Sequence, residues 1–223
     1  MKYNKNKISS ALSDKIYQKL YKRIVAGKLK PGQRITELQI ASSEGVSQAP
    51  VREAIARLAT DGLVRLVPRS GCYICELNEQ DINQIYDIRL RLEDLALEYA
   101  FENLDISILE KLREKFLDCL GYDEQKLIRE ELKLDSKFHN IIFEGSQSEH
   151  LQTMLNKLLA RVHVLRYVSS MNPDWAKVAL QKHISILDAI IKGDRLEASK
   201  LLVQHIERSR ENALANADFF KKQ

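Results

Sequence analysis

Three histidines and one aspartate fall on the apolar faces of helices predicted in the second half of the chain. Asp135 and His139 are four residues apart, so they project from the same side of one helix, one turn apart. His183 and His205 each lie on the apolar stripe of a later helix. They are 22 residues apart, with the turn that joins the two helices between them, so they can lie at the same level on antiparallel neighbours. Three imidazoles and a carboxylate suit a divalent metal, Zn²⁺ first and Ni²⁺ or Mn²⁺ as alternatives. The competing interpretation is that each histidine is a separate, hydrogen-bonded core residue.

A cation also occupies an apolar stripe of the first of these helices. Arg89 is predicted to be buried there, and a buried cation needs an anionic partner. Glu93, one turn further on, is one possible partner. The functional alternative is a carboxylate ligand that also reaches the metal. Arg161 and Arg166, on the fourth helix of this region, are weaker candidates for the same cavity, and Arg161 is included in the predicted effector site.

The stretch GVSQAPVREAIARL, residues 45–58, has the features of a helix whose N-terminal end contacts a ligand. Gly45 can take the left-handed conformation that ends a preceding helix, and Ser47 can cap the next one. Pro50 falls in the first turn, where a missing N–H costs little. Arg52 lies off the buried stripe near that end, and arginine suits guanine through two parallel hydrogen bonds to O6 and N7. The alternative for Arg52 is a salt bridge with Glu53 or a neighbour.

The elements around this stretch predict a winged helix-turn-helix. An amphipathic helix precedes it, with one apolar stripe formed by Leu12, Ile16, Leu20 and Ile24. A short helix over residues 36–43, capped by Thr36, comes next, and LVRLVPRSGCYICEL after the third helix predicts a β-hairpin. The third helix would lie in the DNA major groove and present Gln48 and Ala49 beside Arg52. Arg69 at the hairpin tip would reach the backbone or minor groove, or would be an exposed loop charge.

Residues 78–223 show helical periods and no strand-like alternation. The sequence therefore predicts a mainly α protein with a winged helix-turn-helix in residues 1–77. An all-helical antiparallel bundle of about six helices is predicted for residues 78–223.

The formal net charge of +4 is divided unevenly between these two parts. Residues 1–77 carry 14 lysines and arginines against 6 acidic residues, a net +8, and residues 78–223 carry 21 against 25, a net −4. A basic unit joined to an acidic one indicates that only the first meets a polyanion such as double-stranded DNA. An uneven solvated surface is the other interpretation.

Composition argues against membrane and secreted classes. No run of 18 apolar residues exists, so no membrane partner is expected, and MKYNKNKISSALSDK lacks the apolar stretch of a secretory signal. The three cysteines are an odd number, and without an export signal they indicate a reduced, cytoplasmic protein.

Residues 12–75 resemble the DNA-binding domain of the GntR family of bacterial transcription regulators. The similarity rests on the G-x-L-x-P-G turn, on GVS-x-x-PVREA and on L-x-x-DGLV…G-x-x-I. It implies that Arg52 reads the operator and that Ser47 and Pro50 place the recognition helix on the phosphates. The family commonly has an arginine at the position of Gln48 and a threonine at the position of Ala49. The full predicted DNA-contact set is Arg34, Ser47, Gln48, Ala49, Pro50, Arg52, Arg69 and Gly71.

The region from about 80 to 215 resembles the FCD effector domain of the FadR subfamily, in its shorter, VanR-like branch. The motifs are RLRLEDLALEYA, DSKFHNII and QKHISILDAIIKGDRLEASKLLVQHI. This resemblance implies a divalent metal held by Asp135, His139, His183 and His205, beside which a small organic acid binds. It also implies that Arg89 clamps that acid.

Three classes of function are compatible with these features. The first is a ligand-responsive regulator, a homodimer on a palindromic operator and more often a repressor in the resembling family. The second is a metal-dependent hydrolase, which lacks a positioned general base and would not need a DNA-binding unit. The third is an architectural DNA-binding protein, which would not need an interior metal and arginine. The first class accounts for both sets of residues.

Replacing Arg52 with alanine tests the assignment of the recognition helix. We expect the variant to lose sequence-specific DNA binding, because the bidentate contact to guanine is removed, and to keep its metal content. Footprinting and metal analysis measure the two properties. An operator footprint that survives in the variant would show that the recognition helix is assigned wrongly.

Overall fold

The computed structural model describes residues 2–221, with side chains described for residues 11–168 and 171–221. In chain order the elements are α1 (Lys2–Val25), β1 (Arg34–Ile35), α2 (Glu37–Glu44), α3 (Gln48–Thr60), β2 (Val64–Val67), β3 (Gly71–Ile74), α4 (Glu79–Ala100), α5 (Ile106–Cys119), α6 (Glu124–Gly145), α7 (Glu149–Ser170), α8 (Pro173–Ile191) and α9 (Arg195–Ala215). The mainly α fold with a small wing is the one that the sequence predicts.

The chain forms two compact units. The first contains the chain up to Asn78, together with residues 159–164 and the segment that begins at Ala217. The second contains Glu79–Leu158 and Leu165–Asn216. The second unit therefore lacks two short segments of the predicted region 78–223, which belong by their contacts to the first.

The core of the first unit joins its three helices. Ile16, Leu20 and Ile24 of α1 are buried, which confirms the predicted stripe, and Leu12 packs against them half-buried. The buried side of α3 carries Val51, Ala54, Ile55 and Leu58. Burying this side of α3 leaves its opposite face for solvent or a ligand.

The wing is a three-stranded antiparallel sheet in the order β1-β3-β2. The predicted hairpin is formed by β2 and β3, with Val67 opposite Gly71. The third strand, β1, was not predicted, and it pairs Arg34 with Tyr73 and Ile35 with Cys72. This pairing ties the segment before α2 to the wing.

The turn between α2 and α3 follows the predicted chemistry with one exception. Thr36 caps α2 by accepting a hydrogen bond from the Gln39 amide, and Gly45 ends α2 with a φ of 65° in the left-handed region. Ser47 occupies the position before α3 with extended dihedrals, but its side chain makes no capping hydrogen bond there. Its hydroxyl therefore does not close the helix start and stays exposed.

The second unit is built from α4 to α9, apart from residues 159–164 of α7, in agreement with the expected six helices. Most of these helices begin with a side-chain cap to a backbone amide, supplied by Asp105, Asp123, Ser148, Asn172 and Asp194. Helix α4 packs against α6 and α9, and α8 packs against α5, α6 and α9. This arrangement turns the inner faces of α4, α6, α8 and α9 toward one another.

The sequence predicts an apolar stripe on α6 through Ile128, Leu132, Asp135, His139 and Ile142, and the inner face departs from it in the first half of the helix. Ile128 and Leu132 are only half-buried, whereas Leu127, Glu131 and Phe138 are buried. Because Glu131 is charged, its position on the buried face of α6 is not recognisable from the pattern of apolar residues in the sequence. Helical spacing in the sequence also predicts Tyr99 on the apolar stripe of α4 and Leu120 on that of α5, but both residues are exposed.

Within the part of the chain that the structure describes, no helix combines the length and apolar character that a bilayer span requires.

Candidate metal centre and DNA-contact surface

Four side chains from three helices meet inside the second unit. Helix α6 supplies Asp135 and His139, α8 supplies His183, and α9 supplies His205. One potential ligand atom from each lies within 4.8 Å of the others, and all four residues are buried. The structure thus brings together the whole Asp-His₃ set that the sequence predicts.

Aromatic rings hold two of the imidazoles. The His183 ring is stacked on Phe116 with a centroid distance of 4.9 Å, and Phe138 meets it edge-on at 4.9 Å. Phe138 also meets the His139 ring edge-on at 5.0 Å. These contacts restrict ring rotation, so the nitrogens stay directed at the cluster.

The protonation state of the cluster suits a cation. Burial lowers the pKa of His183 and, more strongly, that of His205, so both rings are neutral near pH 7. Burial opposes ionisation of Asp135, but Arg166 and His139 outweigh it and hold the pKa of Asp135 well below its usual range. Neutral imidazoles and an ionised carboxylate are the forms that coordinate metals.

Several of these polar atoms make no hydrogen bond among the described residues, and Nε2 of His183 lies 3.4 Å from Oδ1 of Asp135. Both ring nitrogens of His183 and Nε2 of His205 are buried without a hydrogen bond. A buried polar atom left unpaired is unfavourable by about 1–3 kcal/mol. The donor set, three imidazoles and one carboxylate, is one that Zn²⁺ accepts. On both grounds the residues fit a divalent metal.

Glu93 connects the cluster to the buried arginine. Its Oε2 lies 2.5 Å from Nδ1 of His139, and its Oε1 accepts a hydrogen bond of 2.6 Å from Nε of Arg89. A carboxylate behind a histidine fixes its tautomer and ring orientation when the other nitrogen binds a metal. The sequence predicts Glu93 only as a possible partner of Arg89, and nothing in the spacing indicates its contact with His139.

Arg89 is buried, as predicted, and its side chain is only 1% exposed. Burial alone would lower its pKa, but Glu93 and other anions raise it, so the guanidinium stays charged. The same pairing holds the pKa of Glu93 well below its usual value against the effect of burial. Nη2 of Arg89 lies 3.3 Å from Nε2 of His139, while Nη1 makes no hydrogen bond among the described residues. Arg89 therefore has both the predicted ion pair with Glu93 and an unused donor.

A second arginine lies at the cluster, and it is Arg166 rather than Arg161. Nη1 of Arg166 is 2.9 Å from Oδ2 of Asp135, and Nη2 is 3.7 Å from Oε1 of Glu93. Arg161 belongs to the first unit, where its guanidinium occupies the space beside Gly62. The structure does not bring Arg161 to the cluster. Arg166, which the sequence indicates as an equally weak candidate, does lie there.

The predicted DNA-contact residues lie on the first unit. Ser47, Gln48, Ala49 and Arg52 are exposed around the start of α3, whereas Pro50 in its first turn is buried. The burial of Pro50 gives it a place in the core beneath the contact surface.

The remaining predicted contacts belong to the wing. Arg34 and Arg69 are exposed, and Arg69 has a φ of 63° at the hairpin tip. Gly71 has a φ of 114°, and a Cβ atom there would lie 3.2 Å from Nε of Arg34. Glycine thus leaves room for the Arg34 guanidinium beside the wing.

Arg52 makes a bidentate ion pair on this surface. Its Nη2 lies 2.9 Å from Oε2 of Glu37, and its Nε is 3.1 Å from both carboxylate oxygens. The alternative interpretation of Arg52 named a salt bridge with Glu53 or a neighbour. The partner is a neighbour in space, on α2, and 15 residues away in the chain.

A winged helix-turn-helix joined to a helical bundle with a buried polar centre defines a class of DNA-binding regulators. Residues 12–74 match the model of the bacterial regulatory proteins of the gntR family, and residues 84–208 match that of the FCD domain. The chain therefore belongs to the GntR family of bacterial DNA-binding transcription regulators, within its FCD-containing group. Both matched domains are those of transcription regulators.

Relatives and solved structures agree with this membership. The chain is 33% identical over 201 residues to the uncharacterized HTH-type transcriptional regulator YdhC of Bacillus subtilis, a match that covers 88% of each protein. It is 24% identical over 216 residues to the HTH-type transcriptional repressor RspR of Escherichia coli, covering 95% of each. Its structure is similar to that of E. coli McbR/YncC, with a TM-score of 0.76, 22% identity, and coverage of 92% of this chain and 98% of the other.

Replacing Arg89 with methionine tests the buried charge network. We expect the free energy of unfolding to fall by about 3 kcal/mol, because Glu93 is left in the interior without its nearest cation. Urea denaturation followed by circular dichroism measures the change. Arg91→Met, at an exposed position of α4, is the matched control and should change stability by less than about 0.5 kcal/mol. Equal stability of the two variants would contradict the ion-pair assignment.

Proposed function

We propose that this chain is a ligand-responsive repressor whose helical domain holds a divalent metal and a small organic acid. The observation that carries the proposal is the buried meeting of Asp135, His139, His183 and His205 beside two arginines. A helical bundle that needed only stability would not keep so many polar groups in its interior. A site that binds an organic acid beside a divalent metal would give these buried polar groups a function.

The metal would be held by the Asp-His₃ set, with Zn²⁺ favoured and Ni²⁺ or Mn²⁺ as alternatives. When bound, it supplies positive charge that attracts an anionic oxygen of the effector. His139 is oriented for this role by Glu93, and His183 by Phe116 and Phe138.

The chain's own residues favour a carboxylate as the effector. Arg89 and Arg166 balance the charges of Glu93 and Asp135 before any metal is counted, so a bound dication leaves positive charge to neutralise. Nη1 of Arg89 and Nε of Arg166 are buried donors without a hydrogen bond among the described residues. Guanidinium groups bind carboxylates through paired, charge-assisted hydrogen bonds. In this proposal Arg166 takes the effector-binding role that the sequence analysis gave to Arg161.

A homodimer on a palindromic operator is the second part of the proposal. The outer side of α4 exposes Ile88 by 51% and Tyr99 by 50%, and half-buried Leu92 and Leu95 lie between them at helical spacing. An apolar stripe of this kind suits a second copy of the chain, which would present two recognition helices to two half-sites. Operator binding would change because the effector binds two arrangements of the dimer with different affinity.

The proposal also includes repression as the direction of regulation and the cytoplasm as the place of action. RspR, similar along nearly its whole length, is named a transcriptional repressor, which supports repression for this chain. A regulator that contacts operator DNA through Arg52 and the wing would act in the cytoplasm, where bacterial DNA lies.

Metal analysis of protein purified without a histidine tag tests the centre. We expect about one divalent metal ion per chain, and a loss of this metal in His183→Ala. His150→Ala, at an exposed position, is the control and should keep the metal. If the untagged protein holds no metal even after incubation with zinc, nickel or manganese, the histidines are core residues and the metal is wrongly proposed.

A panel of short mono-, di- and hydroxycarboxylates, added to the zinc-loaded protein, tests the effector site. We expect at least one acid to raise the melting temperature and to alter the mobility shift of a DNA duplex selected by the protein. Arg166→Met should weaken that acid roughly tenfold or more, because a charge-assisted hydrogen bond is lost. Arg161→Met is the matched control and should bind as the wild type does. If Arg161→Met weakens binding of the acid and Arg166→Met does not, the effector is bound by Arg161 and not by Arg166.

A further inference from the structure

The orientation of the Arg52 guanidinium is set by an acidic residue on the preceding helix. Glu37 binds the edge that Nε and Nη2 form, with three distances between 2.9 and 3.1 Å. The Arg52 side chain is 69% exposed and the Glu37 side chain 27% exposed. The pair is therefore formed at the surface, with the carboxylate on the protein side and the guanidinium toward solvent.

The ion pair leaves a complete donor edge of Arg52 free. A guanidinium has five N–H groups, of which Glu37 accepts from the one on Nε and from one on Nη2. The two N–H groups of Nη1 and the second of Nη2 point away from the carboxylate. Two parallel donors are what recognition of guanine O6 and N7 requires. Glu37 thus occupies the edge that DNA reading does not need.

Glu37 is itself well anchored. It is the first residue of α2, directly after the capping residue Thr36. A carboxylate at this position is stabilised by the positive end of the helix dipole. Its half-buried side chain has fewer orientations available than a surface glutamate. The anchor therefore restricts the motion of a long, flexible arginine side chain before DNA arrives.

We propose that Glu37 is a positioning residue that aims the free edge of Arg52 at one guanine of the operator. The proposal depends on the DNA-binding function inferred above and deepens it. Arginine carries about 2 kcal/mol of rotamer entropy, and a partner that fixes the side chain in advance reduces what base recognition must overcome. The effect is on discrimination between bases, because contacts to phosphates do not depend on the conformation of Arg52. The opposite possibility is that Glu37 competes with DNA for Arg52, and the two ideas predict opposite changes.

The test selects binding sites from random-sequence DNA duplexes with the wild type and with the variants Arg52→Ala, Glu37→Ala and Glu37→Gln. The selected base preference at each position is measured by sequencing. We expect Arg52→Ala to lose sequence-specific selection, including the preference for the guanine that Arg52 contacts. We expect Glu37→Ala to weaken that one guanine preference roughly fivefold while leaving the other positions unchanged. Glu37→Gln keeps one acceptor oxygen and should retain part of the preference.

Glu53→Gln is the matched control for charge. It removes one negative charge from the exposed side of α3, next in sequence to Arg52, without removing the acceptor on α2. Both changes raise general DNA affinity because repulsion from the phosphates falls. Only the Glu37 variants should alter the base preference. Circular dichroism spectra of all variants verify that α2 and α3 are folded.

Each outcome separates this inference from the function on which it depends. If the wild type selects no sequence, both the DNA-binding function and the role of Glu37 fall. If Arg52→Ala selects the wild-type motif, Arg52 does not read a base and Glu37 has nothing to position. If Arg52→Ala loses a guanine that Glu37→Ala keeps at full strength, only the role of Glu37 is overturned. A sharper guanine preference in Glu37→Ala would show that Glu37 is a competitor.

Discussion

Two guanidinium groups, those of Arg89 and Arg166, are buried inside the helical domain, and their charge must be balanced there. An isolated charge in an apolar interior is more unfavourable than the whole stability of a typical domain can offset. Glu93 and Asp135 supply the balance from α4 and α6, at distances of 2.6 Å and 2.9 Å from the guanidinium nitrogens. Both carboxylates also lie beside His139. The requirement for neutrality therefore fixes the packing of these helices and the placement of the histidine-rich centre together.

The protein uses the same ion pair chemistry in two environments with different results. The pair between Arg89 and Glu93 is almost fully buried, so neither group can leave without exposing a charge to a medium of low polarity. The pair between Arg52 and Glu37 is largely solvated, and such pairs contribute only about 0–1 kcal/mol. The buried pair therefore contributes to the stability of the bundle, whereas the solvated pair orients the Arg52 side chain with little effect on stability.

The sequence predicts the fold and most of the candidate centre because helical spacing is a local property. Asp135 and His139 share a face by their separation alone, and the turn before α3 is recognisable from Gly45. The choice between Arg161 and Arg166 is different: five residues apart, they point about 140° away from each other, and only the packing of α7 decides which one faces inward. Strand β1 has two residues, too few to show alternation. The pair formed by Arg52 and Glu37 joins separate helices, which no local pattern encodes.

The contact between Glu37 and Arg52 also bears on how such regulators diverge after gene duplication. A copy that replaces only Arg52 leaves an uncompensated carboxylate facing the phosphates, which repels DNA of every sequence. A copy that replaces only Glu37 keeps Arg52, but its side chain is no longer held in one orientation. If Glu37 positions Arg52 as proposed, a change of preferred base requires substitutions in α2 and α3 together.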